Sequence, residues 1–207
     1  MTAVPRRLLL LFAHPVLERS RVNRRLLDAV RDVKGLTVHD LYEEYPTLQL
    51  NVKREQQLLL EHDVVIFQHP FYWYSAPAII KEWQDLVLEY GWAYGKGGDK
   101  LRGKITLNVI TTGGPTFAYR KDGYNRFTMR ELLSPFDQTA HLCGMKFLAP
   151  FVLHGSLRLE TDEQVDPVGA DYRRLLEALR DETLDIDRAM KAEKVSDELD
   201  ALIKRAS

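Results

Sequence analysis

The run Leu8-Leu9-Leu10-Leu11-Phe12-Ala13, halted at His14-Pro15, limits this chain more than any other feature. Six consecutive apolar residues follow neither a helical nor an alternating period, so a strand carrying them needs cover on both faces. Parallel sheets flanked by helices are built from such strands. Similar runs recur at residues 64–69, 105–111 and 147–154, with a shorter strand at 37–41. Helical spacing fills the intervals. Ser20 is placed as an N-cap before an apolar face of Val22, Leu26, Leu27 and Val30, which Gly35 ends. A second helix spans 53–61. Pro77 opens a third, with Ile79, Ile80, Trp83, Leu86 and Val87 inward. Ser134-Pro135 reads as the N-cap and first position of a fourth, with Phe136, Ala140 and Cys143 inward and Gly144 at its end. A last crossover helix lies within 162–183, and residues 90–103 and 112–126 read as glycine-bearing loops. The predicted class is α/β: a five-stranded parallel sheet in the order 2-1-3-4-5, with helices on both faces. One domain covers 1–184, and 185–207 is a charged, amphipathic helical extension with Ile186, Met190, Leu199, Leu202 and Ile203.

A chain of 207 residues, 45% hydrophobic, is large enough to fold without a disulfide or metal. With Cys143 alone, an intrachain disulfide is impossible, which fits a reducing compartment. The net charge of −1 leaves no basic footprint for nucleic acid. The apolar run behind the N-terminal arginines is too short for a signal peptide, and nothing approaches the ~20 apolar residues of a membrane span. A cytoplasmic protein is expected. The six histidines, His14, His39, His62, His69, His141 and His154, fall in no HxxxH or HExxH spacing, so no metal site is expected. Neither GxxxxGK[ST] nor GxGxxG occurs.

Ligands of such sheets bind outside the carboxyl ends of the strands, which directs attention to three loops. The first holds His14, Ser20, Arg21, Val22 and Asn23 at a helix N-terminus; it reads either as a phosphate seat or as a capped helix with a solvated arginine. The second, Pro70-Phe71-Tyr72-Trp73-Tyr74, has four consecutive aromatics, of which only alternate ones can enter a core. The remainder offer flat π surfaces to a ligand, or cover the sheet end or a subunit interface. The third, Thr111-Thr112-Gly113-Gly114-Pro115, brings backbone amides close to a ligand or is simply a turn. Tyr119 follows as a hydrogen-bond donor or a surface tyrosine.

These motifs resemble those of the flavodoxin-like NAD(P)H:quinone oxidoreductases, which include DT-diaphorase. The resemblance is closer to the bacterial branch serving as ancillary subunits of glutathione-gated potassium efflux systems. It rests on Ala13-His14-Pro15 with Ser20 and Asn23, on Gln68-His69-Pro70-Phe71-Tyr72-Trp73-Tyr74, on Gly91-Trp92-Ala93-Tyr94-Gly95 with Gly97-Gly98, and on Thr111-Thr112-Gly113-Gly114. It implies FMN, or FAD as in DT-diaphorase, with NAD(P)H as co-substrate, a quinone-type acceptor and a homodimer. It further implies flavin contacts from His14, Ser20 to Asn23, Pro70 to Tyr74 and Thr111 to Pro115, and a glycine-rich stretch 91–98 near the dimer interface and site mouth. The ancillary branch implies a potassium efflux transporter as partner, hence a peripheral place at the inner membrane. In DT-diaphorase a tyrosine and a histidine six residues on take part in hydride transfer. Here Tyr119 matches the tyrosine but Asn125 holds the second position. Asn cannot take up a proton near neutrality, which leaves Tyr119, Tyr124 or water. An azo- or nitroreductase, differing mainly in the acceptor, is a rival reading, while a one-electron carrier sits poorly with a charge of −1. Arg21, Lys96, Lys100, Arg102, Arg120 and Arg126 are the candidates for a 2′-phosphate contact.

Overall fold

Leu8–Phe12 forms strand β1, every residue of it buried, between β2 (Leu36–Asp40) and β3 (Val64–Pro70). The structure, a computed structural model, describes residues 4–204; the first three residues of the N-terminal stretch and the last three of the C-terminal extension lie outside it. β3 pairs with β4 (Ile105–Thr111), and β4 with two short strands, β5 (Lys146–Phe147) and β6 (Phe151–Leu153). All pairings are parallel, in the order β2-β1-β3-β4-β5 with β6 also on β4, so the predicted sheet is observed with its last strand divided. β3 and β4 are buried throughout like β1, which is why none of the three alternates.

One face is covered by α1 (Arg21–Val30), which meets α7 (Asp166–Arg180) through Leu26, Leu27, Val30, Tyr172, Leu175 and Leu179. The other carries α2 (Leu41–Glu44), α3 (Val52–Glu61), α4 (Ala78–Val87), α5 (Met129–Leu132) and α6 (Ser134–Leu142) around Phe67, Trp83 and Phe136. The C-terminal segment forms α8 (Ile186–Lys191) and α9 (Val195–Leu202). Ala189, Val195, Leu199 and Leu202 join the α1/α7 core, and the Arg130 guanidinium donates to the Met190 and Ala192 carbonyls (2.8 and 2.6 Å).

Local chemistry explains where the elements depart from the sequence pattern. The fifth strand breaks at Leu148-Ala149-Pro150. There the Ala149 N–H turns away to the Ala189 carbonyl, and the Pro150 carbonyl accepts from Val195 N; proline itself has no donor for the ladder. β2 ends at Asp40 rather than 41 because the Asp40 carboxylate caps α2, accepting from the N–H groups of Tyr42 and Glu43. α1 stops at Val30, before Gly35, since Val33 turns back into the core and the positive φ of Gly35 (78°) serves the turn into β2. Ser134 is the first residue of α6 rather than its cap: α5, held by a Thr128–Glu131 capping box, runs straight into it. Gly144 (φ 71°) does end α6, with its N–H on His141 O and Met145 N–H on Ala140 O, a Schellman closure. Leu86 is 40% exposed, not inward; Ile79, Ile80, Trp83 and Val87 already fill the contact of α4 with the sheet.

Candidate functional site

At the carboxyl end of β1 the chain leaves through His14, whose Nδ1 accepts from Val16 N (3.2 Å), and enters α1 at Ser20. The Ser20 hydroxyl accepts from the Asn23 backbone (3.4 Å) and from Asn23 Nδ2 (3.0 Å). The second proton of that amide goes to Thr111 Oγ1 (3.0 Å), so Asn23 joins the first loop to the end of β4. Its Oδ1 is buried without a protein partner. A helix start leaves its first amides unpaired, and Ser20 takes only that of Asn23. The Arg21 guanidinium is tied to the Leu159 carbonyl. Val22 is a core side chain and can offer a ligand only its amide.

Past β3, Phe71 is buried in the second core while Tyr72, Trp73 and Tyr74 are exposed, Trp73 at 93%. Ser75 N donates to the Tyr72 carbonyl (3.0 Å) across Trp73 (φ 50°) and Tyr74 (φ 63°). Two positive φ values in a two-residue turn favour Asn-Gly. Aromatic side chains there are strained, a condition concentrated at functional sites. Tyr74 OH donates to Asn125 Oδ1 (3.3 Å), and the Tyr72 ring meets His14 edge-on at 6.1 Å.

Beyond β4, the two glycines of the third loop keep negative-side φ values and serve close approach instead. A Cβ on Gly113 would lie 3.0 Å from Leu157 Cδ1, and one on Gly114 3.2 Å from the Tyr119 ring. The second and third loops frame an open cleft lined by Phe71, Trp73, Tyr74, Gly114, Pro115, Phe117, Tyr119, Tyr124, Asn125 and Arg158. His14, Ser20 to Asn23, Pro70, Tyr72, Thr111, Thr112 and Gly113 do not line it. Burial raises the pKa of Tyr119, so the phenol stays protonated as a donor. Lys100 and Arg102 belong to a basic hollow at the amino ends of the strands, with Arg6, Arg7, Lys104 and Lys146, away from the cleft. Residues 91–98 do not line the cleft.

Sequence reasoning missed His154. It follows β6, accepts or donates at Nδ1 with Thr112 Oγ1 (3.1 Å), and lies 5.2 Å from the Tyr119 ring. Its spacing from every other motif gave no signal; only the pairing of β6 on β4 brings it there.

A doubly wound sheet with its cleft at the carboxyl ends and an anion-competent helix start is the architecture of the flavodoxin class. The chain belongs to the family described as having a flavodoxin-like fold, matched over residues 6–176. It is 49% identical over 158 residues to the glutathione-regulated potassium-efflux system ancillary protein KefG of Pectobacterium carotovorum, covering 76% of this chain and 86% of that one. The general stress protein 14 of Treponema denticola, solved in complex with FMN, superposes with a TM-score of 0.79 at 37% identity, covering 84% of this chain and 99% of that one. An NADPH-quinone reductase of P. pentosaceus gives 0.74 at 34%, covering 82% and 97%.

Proposed function

We propose that this chain is a flavin-dependent NAD(P)H:quinone oxidoreductase that holds FMN at the carboxyl ends of β1, β3 and β4. The observation that carries this reading is the convergence there of a helix start, a strained aromatic turn and a Gly-Gly loop. Similarity to the FMN complex and to the quinone reductase supports it. The residues fit the group. FMN needs an anion seat, which the first-turn amides of α1 provide together with Ser20 and Arg21. It needs a flat apolar wall, which Pro70 to Tyr74 offer, and close backbone, which Thr111 to Pro115 offer. The orphaned Asn23 Oδ1 leaves an acceptor beside the seat.

Bound FMN supplies acceptance of hydride from NAD(P)H and its delivery to the quinone-type acceptor. The chain's own groups do the rest. Phe71, Trp73 and Tyr74 exclude water from one side of the cleft. Protonated Tyr119 stands beside Gly114 as a hydrogen-bond donor toward an acceptor. Asn125, carrying no titratable proton, fixes Tyr74 and leaves proton supply to Tyr119 or water. The exposed Trp73, Phe117 and Tyr124 at the mouth suit cover by a second copy in a homodimer.

The KefG relative favours a second, compatible role: an ancillary subunit on a potassium efflux transporter, cytoplasmic and peripheral at the inner membrane. No helix among the described residues is long and apolar enough to cross a membrane itself. An absorption spectrum after FMN reconstitution tests the main reading. Flavin bands near ~450 nm that bleach with NADPH and return with menadione are expected. A protein that retains no flavin ends the enzymatic reading; one that binds flavin but resists NAD(P)H leaves the ancillary role.

A further inference from the structure

The Gly113-Gly114 loop borders the cleft, yet it has no side chains of its own to fix it. Its anchors come from the end of β6 and the segment after it. Gly155 N donates to the Gly114 carbonyl (2.9 Å), Ser156 N to the Thr112 carbonyl (2.8 Å), and Thr112 N to the Leu153 carbonyl (2.9 Å). Side chains extend this clasp. The Thr112 hydroxyl donates to the Gly114 carbonyl (2.8 Å), because a carbonyl offers only lone pairs. With its single proton committed, Thr112 Oγ1 can only accept from His154 Nδ1, 3.1 Å away. The imidazole is therefore held with its proton on Nδ1. Burial, and next the Lys194 ammonium, lower its pKa to about 4, so the ring is neutral at ordinary pH. The same ring lies against Tyr119 with the planes tilted by 38°, and Tyr119 in turn packs on Gly114. Both rings also line a second hollow, with Thr116, Met129 and Lys194.

We infer that His154 is a positioning residue of the cleft: through Thr112 it holds the Gly114 carbonyl, and through its ring it sets Tyr119. The inference rests on the flavin reading of the cleft but concerns a residue that touches neither cofactor nor acceptor. One imidazole thus orders two cleft groups that lie in different parts of the same loop.

FMN titration by fluorescence quenching, with the midpoint potential of the bound flavin, tests it in wild type, His154→Phe and His154→Asn. Phe keeps a ring beside Tyr119 and removes the donor; Asn keeps an N–H where Nδ1 stood. His154→Phe is expected to bind FMN about tenfold more weakly and to shift the potential, and His154→Asn to recover most of both. Thr112→Val removes the acceptor instead, and in the double variant with His154→Phe the losses should not add. Unchanged affinity and potential in His154→Phe, no rescue by Asn, or full additivity with Thr112→Val each overturn the inference. A wild type that takes up no FMN overturns the flavin reading alone. The clasp is then judged in the apo proteins by amide exchange at Gly113 and Gly114, expected about tenfold faster in His154→Phe; equal rates overturn it.

Discussion

Around Glu55, on the α3 side of the sheet, a fully buried carboxylate is completely bonded; around Asn23, at the carboxyl end, the bonding is left open. Glu55 Oε1 accepts from His39 Nε2 (2.8 Å) and Tyr45 OH (2.6 Å), and Oε2 from Trp83 Nε1 (2.8 Å). Burial alone would raise its pKa, but these hydrogen bonds outweigh burial and hold the carboxyl below its usual range. Asn23 has both amide protons engaged and its buried oxygen unmatched. Buried polar groups in native proteins are nearly always satisfied, so an unmatched one wants an explanation. The first cluster ties β2, α3 and α4 together and has nothing left to offer a ligand. The second lies where three loops meet and still has capacity. Thr106 Oγ1 and Asn108 Oδ1 within β4 are also buried without a partner, so it is the place of Asn23 at the meeting of the loops, and not its open bonding alone, that sets it apart.

The contrast can be broken most forcefully at Glu55. Glu55→Ala strands three buried donors and should cost about 3–5 kcal/mol in urea unfolding, while folded protein keeps its FMN affinity. A loss below about 1 kcal/mol would erase the distinction between the clusters. Acid should then separate them by stage. His69 and His154 have pKa values lowered to about 4, in both cases chiefly by burial. A group with a lowered folded pKa stabilises fully above its unfolded value and loses that contribution as pH falls through the folded one. The histidine contribution therefore fades between about pH 6.5 and 4. The Glu55 contribution fades only as pH drops from its unfolded value through the lower folded one. Urea midpoints across pH should show His154→Asn flattening the first stage and Glu55→Gln the second. A single stage insensitive to both variants contradicts the assignment.

Smaller effects sharpen the site end. Ser20→Ala removes the α1 cap and should cost about 1 kcal/mol by thermal unfolding, with weaker FMN binding besides. Trp73→Ala should move stability by no more than about 0.5 kcal/mol, because the side chain is exposed, yet weaken FMN binding several-fold in the same titration. A Trp73 variant that loses stability but keeps its flavin would reverse its place in the comparison.

The apolar runs made β1, β3 and β4 legible with hardly any shift in their ends, since strands covered on both faces cannot alternate. The capping chemistry of Ser20 and Gly144 was equally readable, because caps act over a few neighbouring residues. Reading failed where a partner from far along the chain intervenes. The break in the fifth strand depends on Ala189 and Val195, some forty residues on; the short turn α5, with its Thr128–Glu131 capping box, was not read at all. The three site loops could be named from sequence, but not the Asn23–Thr111 bond that joins two of them.

By itself, then, the sequence determined which strands must be buried, where α1 and α4 start, and which loops emerge at the carboxyl end of the sheet, because each follows from short-range periodicity or local hydrogen bonding. Only the tertiary structure decided that Lys100 and Arg102 lie at the opposite pole and that two aromatics occupy a left-handed turn. It alone decided that His154 stands beside Tyr119. Those outcomes depend on strand register and crossover, which place residues far apart in sequence within a hydrogen bond of each other and leave no periodic trace in the chain.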